Sequence, residues 1–278
     1  MKVFTLNLDL DYEGLRLGGG HRATLDCYLP DFYLPEARKR PAIVICPGGG
    51  YGHLSEREDE PIALEYMAAD MAAFVLNYSI KPDAAFPRCL LEALCAIKTV
   101  RENAAYWDIN PDQISIIGFS AGGHLAATAA AYWNSDIAKN TFGDTALCKV
   151  NAAILAYPVI SSGPWAHSGS IVNLIGDNEA LMEAVSIEKQ VTADYPPTFI
   201  WHTATDGLVP AMNSILMAQS LTEANIPYEL HIYPEGPHGL SLADERTAKP
   251  DHHQYIVPRV VEWVDKSVSF LKEIAFKK

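Results

Sequence analysis

Cysteine is scarce and falls in no recognisable pattern. Cys27, Cys46, Cys89, Cys95 and Cys148 are scattered through 278 residues, and no C-x-x-C pair exists. That spacing supports neither a zinc ribbon nor a redox dithiol, so no metal and no cofactor is expected. Cys46, inside Ala42-Ile43-Val44-Ile45-Cys46, reads as a small buried hydrophobe. Positive charge is also short, with 21 Lys+Arg against 34 Asp+Glu and a formal net charge of −13. A nucleic-acid partner wants clustered cations, and this balance argues against one. No apolar run approaches the ~20 residues needed to span a bilayer. The first ten residues alternate polar with apolar and are broken by Asn7 and Asp9, unlike the unbroken apolar stretch of a signal peptide. The expectation is a cytoplasmic chain with no membrane partner. Internal repeats and low-complexity tracts are absent as well.

What is present reads as one globular α/β domain over 1–278. A chain of this length buries roughly three quarters of its unfolded surface, enough for a full core. Segments 2–10 and 22–29 alternate and predict an antiparallel strand pair, whose edge could pair across a homodimer. Short apolar runs at 41–46, 73–78, 113–118, 152–157, 197–202 and 227–233 predict further strands. Helical periodicity fills about 60–70, 86–106, 209–224 and 258–276, together with a helix running on from Ser120. Strands separated by helices and repeated this often predict a mostly parallel central sheet with helices on both faces. Residues 160–195 break the rhythm. They are rich in Ser, Gly and Asn before turning helical around 179–187, and read as a short insertion over the C-terminal edge of the sheet.

Gly118-Phe119-Ser120-Ala121-Gly122 matches G-x-S-x-G. The β-branched stretch before it and the helical His124-Leu125-Ala126-Ala127 after it place Ser120 on a strand-to-helix turn, where a nucleophile's hydroxyl stands clear of the backbone. Glycines flank it because a side chain at either position would collide across so tight a turn. A helix N-cap is the alternative role for such a serine.

A serine hydroxyl attacks only when a base takes its proton and a third group orients the base. Thr203-Ala204-Thr205-Asp206-Gly207 puts Asp206 after the strand at 197–202, and Gly236-Pro237-His238-Gly239 puts His238 after the strand at 227–233. They follow Ser120 in the order Ser, Asp, His, at separations of 86 and 32 residues. A turn aspartate and a surface histidine are the plainer readings of each. The rivals serve less well: His124 lies one turn into the following helix, His202 lies inside a strand, and Asp244 and Asp251 lie in polar surroundings. Backbone amides for a developing oxyanion are expected from Ala121 and from the run Gly48-Gly49-Gly50, with Gly49 and Gly50 preferred.

Pro47-Gly48-Gly49-Gly50-Tyr51, Gly118-Phe119-Ser120-Ala121-Gly122-Gly123-His124, His202-Thr203-Ala204-Thr205-Asp206 and Gly236-Pro237-His238-Gly239 together resemble the α/β-hydrolase esterases related to bacterial acetyl-xylan and carbohydrate acetylesterases. The resemblance runs from about residue 40 to the C-terminus. It implies the α/β-hydrolase fold and cofactor-free serine carboxylesterase activity on short acyl, often acetyl, esters of sugars or small alcohols. By motif it places the triad on Ser120, Asp206 and His238. Pro47 stands where the lipase branch has histidine, which favours the carbohydrate-esterase side. Tyr51, His53 and Trp165 are candidates to line the mouth for an acetylated oligosaccharide, with packing of loop against insertion the alternative for Tyr51 and Trp165. The polar run 55–60 reads as a solvated helix start or a substrate rim. An arylformamidase-like amidohydrolase and a non-catalytic small-ligand binder on the same fold are the competing functions. A prolyl-oligopeptidase type is disfavoured, because no room exists for its large gating domain.

Overall fold

The computed structural model describes residues 1–8, 23–31, 38–249 and 251–277. Apolar, β-branched runs supply its strands: β1 (Lys2–Asn7), β2 (Thr24–Leu29), β3 (Arg40–Cys46), β4 (Ala72–Asn77), β5 (Ile109–Phe119), β6 (Ala152–Ala156), β7 (Thr198–Thr203) and β8 (Tyr228–Tyr233). The described residues form an eight-stranded sheet in the order β1-β2-β4-β3-β5-β6-β7-β8. β1 and β2 pair antiparallel, β2 joins β4 antiparallel, and all remaining pairs are parallel. The expected first strand pair is therefore present, although residues 9, 10 and 22 of those segments lie outside the described residues.

Side chains alternate along a strand, so each parallel strand feeds two apolar layers. Ala42, Val44 and Cys46 point to the layer holding Leu90, Leu94 and Ile97 of α2 (Arg88–Glu102) and Leu125 of α3 (Ala121–Tyr132). Ile43 and Ile45 point to the opposite layer, with Ile62 and Tyr66 of α1 (Glu60–Ala68). All five cysteines are buried and none is joined in a disulfide, and burial pushes the Cys27 and Cys148 thiols up to about 12. No helix among the described residues is long and apolar enough to cross a membrane.

Four elements differ from the pattern expected of the sequence. A short helix, α4 (Asp136–Phe142), forms where none was expected, with the Ser135 hydroxyl accepting from the Ala138 N–H. In the insertion, α5 (Ser168–Ile175) forms in the Ser-rich part, and 179–187 is not a helix but carries only the single turns Glu179–Leu181 and Ile187–Lys189. Hydrogen bonding explains the reversal. The carbonyls of Met182, Ala184 and Val185 accept from Ser162 Oγ, the Tyr132 hydroxyl and His124 Nε2, so groups outside the segment take the acceptors a helix would use. After α6 (Met212–Glu223), the last helix is shorter than expected: α7 (Trp263–Phe270) widens into a π-helical turn at Leu271–Ala275.

His124 ties these parts together. It is fully buried, accepts from the Tyr51 hydroxyl at Nδ1 (2.8 Å) and donates from Nε2 to Val185 O (2.9 Å). Burial lowers its pKa from the ordinary 6.5 to about 4, so it folds as the neutral ring and the unfolded chain binds its proton first. Stability linked to His124 is therefore complete above pH ~6.5 and is lost as pH falls toward 4. Urea unfolding at pH 7 and pH 4.5 should show this residue removing roughly 2–3 kcal/mol over that interval. The acid loss should be smaller by that amount in His124→Gln; an identical loss in both proteins contradicts the assignment.

Candidate active site

The C-terminal ends of β3, β5, β6, β7 and β8 meet above the sheet, and the loops leaving them supply the polar residues. Ser120 stands between β5 and α3 with φ +55° and ψ −117°, a conformation that costs an L-residue about 1–3 kcal/mol and persists only when its surroundings enforce it. The enforcement is steric. A Cβ on Gly118 would lie 1.9 Å from Gly122 O, and one on Gly122 would lie 2.1 Å from Cys46 O. Helix α3 thus passes against the ends of β3 and β5 with no room for a methyl group. Ser120 N–H donates to Ala156 O, and Ser120 O accepts from His124 N–H and Val159 N–H.

The serine hydroxyl lies 2.7 Å from His238 Nε2, and His238 Nδ1 lies 2.6 Å from Asp206 Oδ2. The three residues that the sequence places 86 and 32 positions apart are joined in one hydrogen-bonded chain. Asp206 is buried, and its Oδ1 accepts from the N–H groups of Leu208 and Val209, both at 2.9 Å. Burial alone would raise this carboxyl. His202, whose Nε2 sits 3.3 Å from Oδ2, together with His238 and the Val209 amide, outweighs that effect and holds Asp206 well below the ordinary carboxylate range. His202 is itself fixed, donating from Nε2 to Val209 O and accepting from Ser214 Oγ at Nδ1. A carboxylate at Nδ1 leaves Nε2 of His238 free to accept the serine proton.

The glycine run follows β3 directly. Gly49 and Gly50 adopt φ +127° and +65°, open to glycine and strained for other residues. Among the described residues the amides of Gly49, Gly50 and Ala121 have no hydrogen-bond acceptor, whereas the Gly48 N–H is taken by Glu58 Oε2. Tyr51 is placed inside the fold and not at the mouth: it is 1% exposed, since its ring packs on Tyr78 and His124 and its hydroxyl serves His124. His53 and Trp165 are exposed, Trp165 to 44%.

Several neighbours of the site carry little local signal. Asn173 of α5 donates to Gly50 O (2.8 Å), and Asn213 of α6 donates to Trp165 O (2.9 Å), so the insertion is tied to the glycine loop and to the segment after Asp206. His167 caps α5, accepting at Nδ1 from Ser170. Burial and the neighbouring charge of His238 lower its pKa, with Asp206 opposing. Glu58 and Tyr157 are buried and bonded to each other. Glu58 lies in an acidic run that reads as solvated, and no local pattern sets it apart.

Residues 25–221 match the BD-FAE family. The acetylxylan esterase of Xylanibacter ruminicola is 30% identical over 285 residues, covering 99% of this chain and 53% of that protein. Endo-1,4-beta-xylanase B of Butyrivibrio fibrisolvens is 36% identical over 214 residues, covering 74% of this chain and 33% of the xylanase. The chain therefore spans between a third and about half of these two relatives. The crystal structure of an acetyl ester-xyloside bifunctional hydrolase from Caldicellulosiruptor lactoaceticus is 33% identical, with a TM-score of 0.83, over 99% of this chain and 97% of that one. A match over most of the chain and a likeness in structure along nearly all of it agree with the sheet order and the strand-turn-helix around Ser120: the chain belongs to the BD-FAE family and has the α/β-hydrolase fold.

Proposed function

We propose that this protein is a serine carboxylesterase that removes short acyl groups, acetyl above all, from sugar or small-alcohol esters. The observation that carries the reading is the hydrogen-bonded chain from Ser120 through His238 to a buried, ionised Asp206, with hydrogen-bond lengths of 2.7 and 2.6 Å.

In this mechanism Ser120 Oγ attacks the ester carbonyl as His238 Nε2 takes its proton. Asp206 holds the Nδ1–H tautomer and balances the imidazolium that forms. The carbonyl oxygen becomes an oxyanion, and the unengaged amides of Gly49, Gly50 and Ala121 donate to it; removing one such donor typically costs about 3–4 kcal/mol of transition-state stabilisation. His238 then protonates the departing alcohol. Water, deprotonated by the same imidazole, attacks the acyl-enzyme, and Ser120 leaves with its proton restored.

The named activities of the similar proteins, an acetylxylan esterase and an acetyl ester-xyloside hydrolase, support an acetylated sugar as substrate. Exposed Trp165, its backbone held by Asn213, offers an apolar face suited to a sugar ring, and His53 offers a polar edge beside the glycine loop. The insertion is anchored at Gly50 and Asn213 and leaves little slack to open a long acyl tunnel.

With p-nitrophenyl acetate, Ser120→Ala should lose at least ~10³-fold in kcat and Asp206→Asn about 10²–10⁴-fold, both remaining folded by circular dichroism. Most of the activity surviving in Ser120→Ala contradicts the mechanism. Among p-nitrophenyl esters, acetate and butyrate should exceed octanoate by ~10-fold or more in kcat/KM. Acetate should also be released from acetylated xylo-oligosaccharides. Octanoate as the best substrate overturns the short-acyl reading, and turnover confined to a formyl-anilide redirects it to an amide.

A further inference from the structure

Glu58 belongs to the charged run Ser55-Glu56-Arg57-Glu58-Asp59-Glu60, yet it is only 3% exposed while Glu56 and Glu60 face solvent. A carboxyl group leaves water at high cost unless donors replace its hydration. Both oxygens of Glu58 have one. Gly48 N–H donates to Oε2 at 2.8 Å, and the Tyr157 hydroxyl donates to Oε1 at 2.6 Å.

These two donors belong to opposite sides of the site. Gly48 opens the glycine run, and its backbone lies so close that a Cβ would sit 3.2 Å from Ser120 Cβ. Tyr157 follows β6 at φ +37° and stands edge-on to the His238 ring, with centroids 5.2 Å apart and planes inclined at 75°. Its hydroxyl also accepts from Ser241 N–H at 2.9 Å, three residues past His238. The Ser241 hydroxyl donates in turn to Arg57 O. The single turn Glu56–Glu58 therefore grips the glycine loop with one carboxylate oxygen and the histidine loop, through Tyr157, with the other.

We propose that Glu58, acting through Gly48 and Tyr157, is a positioning residue that sets the glycine-loop amides and His238 in register with Ser120. The proposal rests on the serine-esterase reading above. Glu58 touches no reacting atom; it removes Gly48 N–H from the pool of oxyanion donors and thereby fixes which amides, those of Gly49 and Gly50, face the substrate. Donor placement is felt in the transition state and hardly in ground-state binding, so the effect belongs in kcat.

Glu58→Gln keeps the side-chain size but leaves one acceptor oxygen where there were two. With p-nitrophenyl acetate its kcat should fall ~10–100-fold with KM within about threefold, and its affinity for phenylboronic acid, which forms a tetrahedral adduct on a serine, should fall in step with kcat/KM. Tyr157→Phe should shift both in the same direction by ~3–30-fold, and the double variant should fall no further than Glu58→Gln alone. A merely structural role would lower the melting temperature and leave boronate affinity of the folded protein unchanged. Wild-type kcat in Glu58→Gln, or lost kcat with unaltered boronate affinity, overturns the proposal. If Glu58→Gln does not fold, Tyr157→Phe decides, and kcat and boronate affinity within about twofold of wild type reject it. Ser120→Ala run in parallel separates the claims: activity surviving there contradicts the serine reading, whereas activity lost there beside an unaffected Glu58→Gln rejects only the role of Glu58.

Discussion

The close passage of α3 over the strand ends is the constraint on which the rest depends. Gly118 and Gly122 leave space for hydrogen atoms alone, so the chain must turn within Ser120 and hold it at positive φ. Gly123 extends the contact, since a Cβ there would press on Pro158 after β6. One turn thus packs simultaneously on the ends of β3, β5 and β6. The strain at Ser120 is offset by apolar burial along β5 and α3, and the serine hydroxyl is left standing out where loops from β7 and β8 can reach it.

Around that turn two buried carboxylates, Asp206 and Glu58, have hydrogen-bond donors on both oxygens. Asp206 has four nitrogen donors or neighbours: the amides of Leu208 and Val209, His238 and His202. A carboxylate held this way stays charged inside the fold and fixes the tautomer of the imidazole beside it. Glu58 is answered by Gly48 and Tyr157 on the far side of the serine. The two carboxylates serve different ends, one aligning the histidine ring through its nitrogen and the other joining the loops on either side of it.

Much of this was readable in the sequence because local chemistry and local pattern coincided. The unbroken apolar runs at 41–46 and 152–157 became β3 and β6, and the spacing of Leu90, Leu94 and Ile97 became the buried face of α2. The meeting of Ser120, Asp206 and His238 is legible because a serine, an aspartate and a histidine each follow a strand of a parallel sheet, whose C-terminal ends lie on one side. The features without a local pattern depend on distant partners. Residues 179–187 have helical composition, but Ser162, Tyr132 and His124 claim their carbonyls, and none of those residues is near in sequence. Tyr51 reads as either a mouth or a packing residue, and it packs, on Tyr78 and on His124, whose Nδ1 its hydroxyl satisfies, and not on the insertion. Glu58 was hidden by its charged neighbours. Its partners lie 10 and 99 residues away, a separation that no periodicity reports.

Ser120 is proposed as the nucleophile of an acyl-transfer site. Its most direct test is covalent: react the protein with a fluorophosphonate, digest it, and locate the adduct by mass spectrometry. One phosphonyl group on the peptide carrying Ser120, formed in wild type and absent in His238→Ala under the same exposure, is the expected result. A folded wild-type protein that takes no label, or takes it on another residue, would contradict the account.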